Sequence, residues 1–113
     1  MKSEKELHMK AQQWLEKSGL WKKLLIFHVP NERFGGIGTI THFKRLGVRP
    51  GVADYLLFAT NHRIAIELKN EEGVQNENQK EFQEQWEAAG NRYFIARSLL
   101  QFQAIIGMLC AKV

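Results

Sequence analysis

The chain reads as an α/β protein: a helix, three strands, a second helix and a fourth strand in that order, with a further helix at the C-terminus. Three observations carry this reading. Apolar residues recur at helical spacing in three segments, short apolar or alternating runs lie between those segments, and two of the runs are separated by a turn tight enough for a hairpin.

Taken in order, Leu7, Ala11, Trp14 and Leu15 mark a first helix from Ser3 to about Lys17, with Ser3 as its N-cap and Gly19 as its stop. The apolar run from Leu24 to Val29, closed by Pro30, reads as a buried strand. From Asn31 to Gly51 the chain is rich in glycine and carries Arg33, Lys44, Arg45 and Arg49, so a long basic loop is expected; loops of that length in small domains tend to be functional or mobile. Ala53 to Ala59 and Arg63 to Lys69 form a hairpin about Thr60, Asn61 and His62. Asn76 to Ala89 is an amphipathic helix with Phe82, Gln83 and Trp86 along one side and Gly90 at its end, and Arg92 to Ala96 is the last strand. Leu99 to Leu109 is apolar around nearly its whole circumference, which a surface helix is not. It is either sandwiched within the domain or a subunit interface.

With 113 residues, 44% of them hydrophobic and 25% charged, one soluble globular domain over 1–113 is expected. A chain of this size buries somewhat under about 70% of its extended surface, so covering a face against a second copy would help it. A net charge of +4 and a sequence pI of 9.4 are compatible with a polyanionic partner, though equally with an ordinary solvated surface. The single cysteine, Cys110, excludes an intramolecular disulfide or a cysteine zinc cluster, and apolar packing is its expected role. There is no signal-peptide pattern and no apolar run of membrane-spanning length, so an intracellular, cytoplasmic location is expected.

The chemistry concentrates in the hairpin. Side chains alternate along a strand, so Ile64, Ile66 and Leu68 share the core-facing side while Glu67 and Lys69 share the other. A two-residue turn at Thr60-Asn61 sets Asp54 opposite Glu67, whereas a turn at Asn61-His62 sets it opposite Lys69; either register gathers all three groups. Two carboxylates roughly 5 Å apart repel by about 3 kcal/mol at an effective dielectric near 20, and a divalent cation turns that repulsion into binding. The alternative is a solvated hairpin face carrying a simple ion pair. Asn76 and Gln79 also have capping-box spacing, which would give Gln79 a structural role. His8, His28, His42 and His62 show no metal-ligand spacing, and His28 reads as a packed strand residue.

His28-Val29-Pro30-Asn31, Lys44, Gly47, Pro50-Gly51-Val52-Ala53-Asp54, Ile66-Glu67-Leu68-Lys69-Asn70 and Gln79 together resemble the virus-type replication-repair nuclease (VRR-NUC) domains of the PD-(D/E)XK nuclease superfamily. The match runs over nearly the whole chain, in the helix–strand–strand–strand–helix–strand order of that superfamily's core. The resemblance implies a Mg²⁺-dependent deoxyribonuclease, with Mn²⁺ able to substitute and no organic cofactor. It implies Asp54 and Glu67 as metal ligands, the Leu68 carbonyl as a further ligand, Lys69 as the catalytic lysine and Gln79 as the helix glutamine of the site. It also implies a glutamate on the first helix, for which Glu4 and Glu6 are candidates. Glu4 lies on the face of Leu7, His8 and Ala11 and is preferred; a carboxylate simply favoured by the helix dipole is the alternative.

Asn31, Arg33, Lys44, Arg45 and Arg49 are the expected DNA contacts, although Glu32 departs from the small residue the family often has after the asparagine. Stand-alone members of the resembled family are short, dimeric and tied to branched DNA. The expectation is therefore a homodimeric, structure-selective endonuclease of phage or mobile-element type, acting on four-way (Holliday) junctions in a bacterial or phage-infected cell, with no membrane partner. An inactive DNA-binding protein on the same fold is the alternative.

Overall fold

The computed structural model describes residues 3–30 and 42–110, and of residue 110 the backbone only, so the packing expected of Cys110 and the roles expected of Asn31 and Arg33 lie outside the described residues. Helix α1 (Glu4–Lys17) is capped by Ser3, whose hydroxyl oxygen accepts the Glu6 amide at 3.1 Å. Its buried stripe is Leu7, Ala11 and Leu15. Gly19, at φ 81°, supplies the left-handed residue after the helix, and a single further turn, α2 (Leu20–Lys23), leads into the sheet. That turn has no counterpart in the sequence reading.

Strands β1 (Leu25–His28), β2 (Tyr55–Ala59), β3 (His62–Leu68) and β4 (Arg92–Ala96) form one sheet in the order β1-β2-β3-β4. The first two pairings are antiparallel and β3 with β4 is parallel. A parallel pair cannot be closed by a hairpin, and helix α3 (Glu77–Ala88) makes the crossover. Helix α4 (Leu99–Cys110) ends the described chain.

The sheet is covered on both faces. On one, Tyr55, Leu57, Ile64, Ile66 and Leu68 pack against Leu7, Ala11 and Leu15 of α1 and Phe102, Ile105, Ile106 and Leu109 of α4. On the other, Ala53, Ala65 and Tyr93 meet Phe82 and Trp86 of α3. Of the two settings expected for the last helix, the structure shows a side packed on the core and an outer side exposing Leu100 and Met108.

Two expectations change. β1 is not a buried strand but the edge of the sheet: Ile26 is buried while its neighbours Leu25 and Phe27 are 62% and 38% exposed. Its composition is that of a central strand, and only sheet order reveals the open side. Within the expected loop, 42–45 are helical. The alternative of a solvated hairpin face does not hold, because α3 lies over the face bearing Glu67.

Phe102 of α4, fully buried against Trp14 and Tyr55, is a main anchor of the larger core. Phe102→Ala is expected to cost about 3–5 kcal/mol by denaturant unfolding, against under about 0.5 kcal/mol for Val74→Ala at a largely exposed position.

Candidate metal and catalytic site

Residue pairing across the hairpin runs from Ala59 opposite His62 to Tyr55 opposite Ile66, which makes Thr60-Asn61 the two-residue turn. Asn61 takes φ 63°, a conformation asparagine tolerates better than most residues. Of the two registers the sequence allows, this one holds, and Asp54, just before β2, lies across from Glu67. The two carboxylates are then crossed: the Asp54 amide donates to Glu67 Oε1 at 3.1 Å, and the Leu68 amide donates to Asp54 Oδ2 at 2.7 Å. Each acid is held by the backbone of the opposing strand.

Glu67 is 3% exposed. Its Oε2 accepts from Gln79 Nε2 at 2.7 Å and stands 3.8 Å from Lys69 Nζ. Burial, followed by the charge and hydrogen bonding of Asp54, pushes its carboxyl up to about 8; Lys69 and the Asp54 amide pull the other way without compensating. Perturbed carboxyls of this kind cluster at functional sites, where a neighbouring cation can offset the repulsion. Lys69, also buried, stands between Glu67 and Glu4 Oε1, the latter at 3.7 Å. It is Glu4, not Glu6, whose carboxylate stands beside Lys69.

Gln79 closes the capping box that its spacing predicts and also reaches Glu67. Its Oε1 accepts the Asn76 amide at 2.9 Å while Asn76 Oδ1 accepts the Gln79 amide at 2.9 Å, the reciprocal capping box of α3. With the oxygen committed to the cap, the amide nitrogen is the atom that points at Glu67. The first turn of α3 is brought this close by Gly51, at φ 82°. A Cβ there would run into the Asn78 carbonyl and come within 2.8 Å of the Gln79 amide nitrogen.

The Leu68 side chain faces the core, and its backbone lies between Glu67 and Lys69 at the end of β3. Beyond Lys69, Arg97 Nη1 donates to the carbonyls of Asn70 at 2.9 Å and Gly73 at 2.6 Å, pinning the following turn against β4. A Cβ at Gly73 would sit 3.2 Å from Lys69 Cδ and 3.3 Å from Glu4 Oε1, so this turn forms a wall of the site. Lys44 and Arg45 are exposed on 42–45, while Arg49 is tied to Gln85 of α3 at 2.9 Å.

Arg97, His8 and His28 were not among the residues that the sequence assigned to the site. His28 Nδ1 lies 2.7 Å from the Asp54 carbonyl oxygen, and donor atoms of His8, His28 and Asp54 all fall within 4.8 Å of one another. Histidine spacing along the chain hides this; a signal was present in His8, one helical turn from Glu4 on the same face.

No family model and no curated protein matches the sequence. In three dimensions the chain is similar to a solved VRR_NUC domain protein, at a TM-score of 0.77 and 20% identity, over 96% of this chain and 88% of that one. The chain has the VRR-NUC fold. The mixed sheet, crossover helix and C-terminal helix therefore fit the PD-(D/E)XK-like architecture, and in this VRR-NUC fold Asp54, Glu67 and Lys69 lie at the ends of β2 and β3 beside the start of α1. Among the described residues no helix is long and apolar enough to cross a membrane.

Because Glu67 binds its proton more tightly folded than unfolded, its contribution to stability is complete below its ordinary value of 4.5 and is lost as pH rises toward about 8. In metal-free protein, Glu67→Gln is expected to raise the melting temperature more at about pH 8 than at about pH 5; equal shifts would argue against a raised acid. Gly51→Ala combines a left-handed residue with a backbone clash against the first turn of α3, and should cost at least about 1–2 kcal/mol in denaturant unfolding.

Proposed function

We propose that the chain is a metal-dependent deoxyribonuclease that hydrolyses phosphodiester bonds. The observation that carries this reading is the crossed pair of Asp54 and Glu67, each bound to the other strand's backbone, with the Lys69 ammonium 3.8 Å from Glu67. An exposed hairpin ion pair would have no need to bury a second acid against the first. The all-oxygen donor set of Asp54, Glu67, the Leu68 carbonyl and Glu4 suits Mg²⁺, with Mn²⁺ as a substitute. Once bound, the ion supplies Lewis-acid polarisation of the phosphodiester and activation of water.

The chain's own groups do the rest. Lys69 holds a positive charge where negative charge develops on the phosphorus oxygens, in a setting dry enough for that charge to act at full strength. Glu4 keeps the ammonium placed from the far side, and Gln79 keeps Glu67 turned toward Asp54. Asn31, Arg33, Lys44, Arg45 and Arg49 are assigned to DNA phosphates, which would make binding steeply salt-dependent.

Branched DNA, a four-way junction above all, is the preferred substrate, cut by a twofold homodimer. The exposed Leu100 and Met108 of α4 are the surface assigned to that pairing. A panel of single strands, flaps, duplexes and four-way junctions, with Mg²⁺ or chelator present, tests the reading. Asp54→Ala is expected to abolish cleavage while DNA binding persists; undiminished cleavage by that variant would sink the proposal.

A further inference from the structure

A second group of metal-ligating side chains adjoins the carboxylate pocket. His8 comes from α1, one turn beyond Glu4; His28 is the last residue of β1; Asp54 stands at the start of β2. Nothing in the roles assigned to Mg²⁺ above uses either imidazole. We propose that His8, His28 and Asp54 form a second metal site, sharing Asp54 with the carboxylate pocket, that takes a first-row transition ion preferring nitrogen ligands, with Zn²⁺ as its representative.

The His28 imidazole is oriented for this. The Asp54 carbonyl oxygen can only accept, so His28 Nδ1, 2.7 Å away, is the donor, and the lone pair able to ligate lies at Nε2. A backbone carbonyl behind the non-ligating nitrogen is the usual outer support of a metal-bound histidine. The same carbonyl accepts the Val29 amide at 2.9 Å, which holds it in place. The two histidine rings meet edge to face at 4.3 Å, and both rest on the ring of Tyr55, at 5.2 Å for His8 and 5.9 Å for His28. Tyr55 is fully buried and its hydroxyl donates to Gln12 at 2.7 Å.

The donor types choose the ion. Mg²⁺ prefers oxygen, whereas two imidazoles and a carboxylate suit zinc and its neighbours and leave a fourth position for water or a phosphate oxygen. Bonds of about 2.0–2.1 Å place tetrahedral donors roughly 3.4 Å apart. The donor atoms of His8, His28 and Asp54, all within 4.8 Å of one another, draw together by roughly an ångström on binding. The site stands whether or not the chain cleaves DNA, because it depends on the imidazoles and not on Lys69 or Glu67.

The test is Zn²⁺ titration calorimetry on the full chain, freed of metal and held in excess Mg²⁺ so that the oxygen site is filled. About one Zn²⁺ per chain is expected, with affinity falling at least ~10-fold in His8→Ala and in His28→Gln. Glu67→Gln should lose Mg²⁺ binding and keep Zn²⁺ binding. Should His28→Gln unfold by circular dichroism, His8→Ala, on a helix face that is partly exposed, carries the comparison. Co²⁺ in the parent protein gives an independent reading through the strong visible absorption of four- or five-coordinate nitrogen ligation. No Zn²⁺ uptake, uptake indifferent to His8→Ala, uptake lost with Glu67→Gln, or only the weak Co²⁺ spectrum of octahedral oxygen ligation would each overturn the proposal.

Discussion

Everything near Asp54 depends on the register of one hairpin. A two-residue turn at Thr60-Asn61 sets Asp54 across from Glu67, and a slip by one residue would carry every side chain of β3 to the other face of the sheet. The register is held at both ends. At the turn, Asn61 accepts a positive φ; at the open end, Asp54 and Glu67 each accept an amide from the opposite strand. Because the core face of β3 carries Ile64, Ile66 and Leu68, hydrophobic burial and the crossed acids favour the same alignment.

Burial gives those acids their character. On an open sheet face, water would screen Asp54 from Glu67 and the pair would differ little from any surface carboxylates. Helix α3 removes that water, and Gln79 couples the helix to the acids by spending its oxygen on the N-terminal cap and its nitrogen on Glu67. Gly51 lets the backbone before Asp54 approach the same helical turn. The cost is a carboxyl held well above its ordinary range in the absence of a cation, the kind of local instability that binding sites retain and the rest of a fold must offset.

The edges of the architecture follow a different logic. β1 is short, bends its exposed side chains Leu25 and Phe27 away from the larger core, and contributes His28 where it meets Asp54. α4 anchors the opposite end through Phe102, Ile106 and Leu109 while leaving Leu100 and Met108 outside. The two elements look alike in composition. Their apolar residues nevertheless divide between packed and open sides according to what lies next to them.

The order of the four strands and three longer helices, the helix caps, the hairpin and the gathering of Asp54, Glu67 and Lys69 were determined by the sequence alone, because each rests on spacing within a few residues or across one tight turn. Which of two registers the turn takes, and the covering of the Glu67 face by α3, were decided by tertiary structure. So were the edge position of β1 and the meeting of His28 with Asp54, 26 residues away. Periodicity says which residues share a face, but it cannot say what is laid over that face. Asp54, Glu67 and Lys69 thus read in sequence as a cluster able to hold a cation, and only packing showed Glu67 and Lys69 to be buried and the half-buried Asp54 to be tied to the opposing strand.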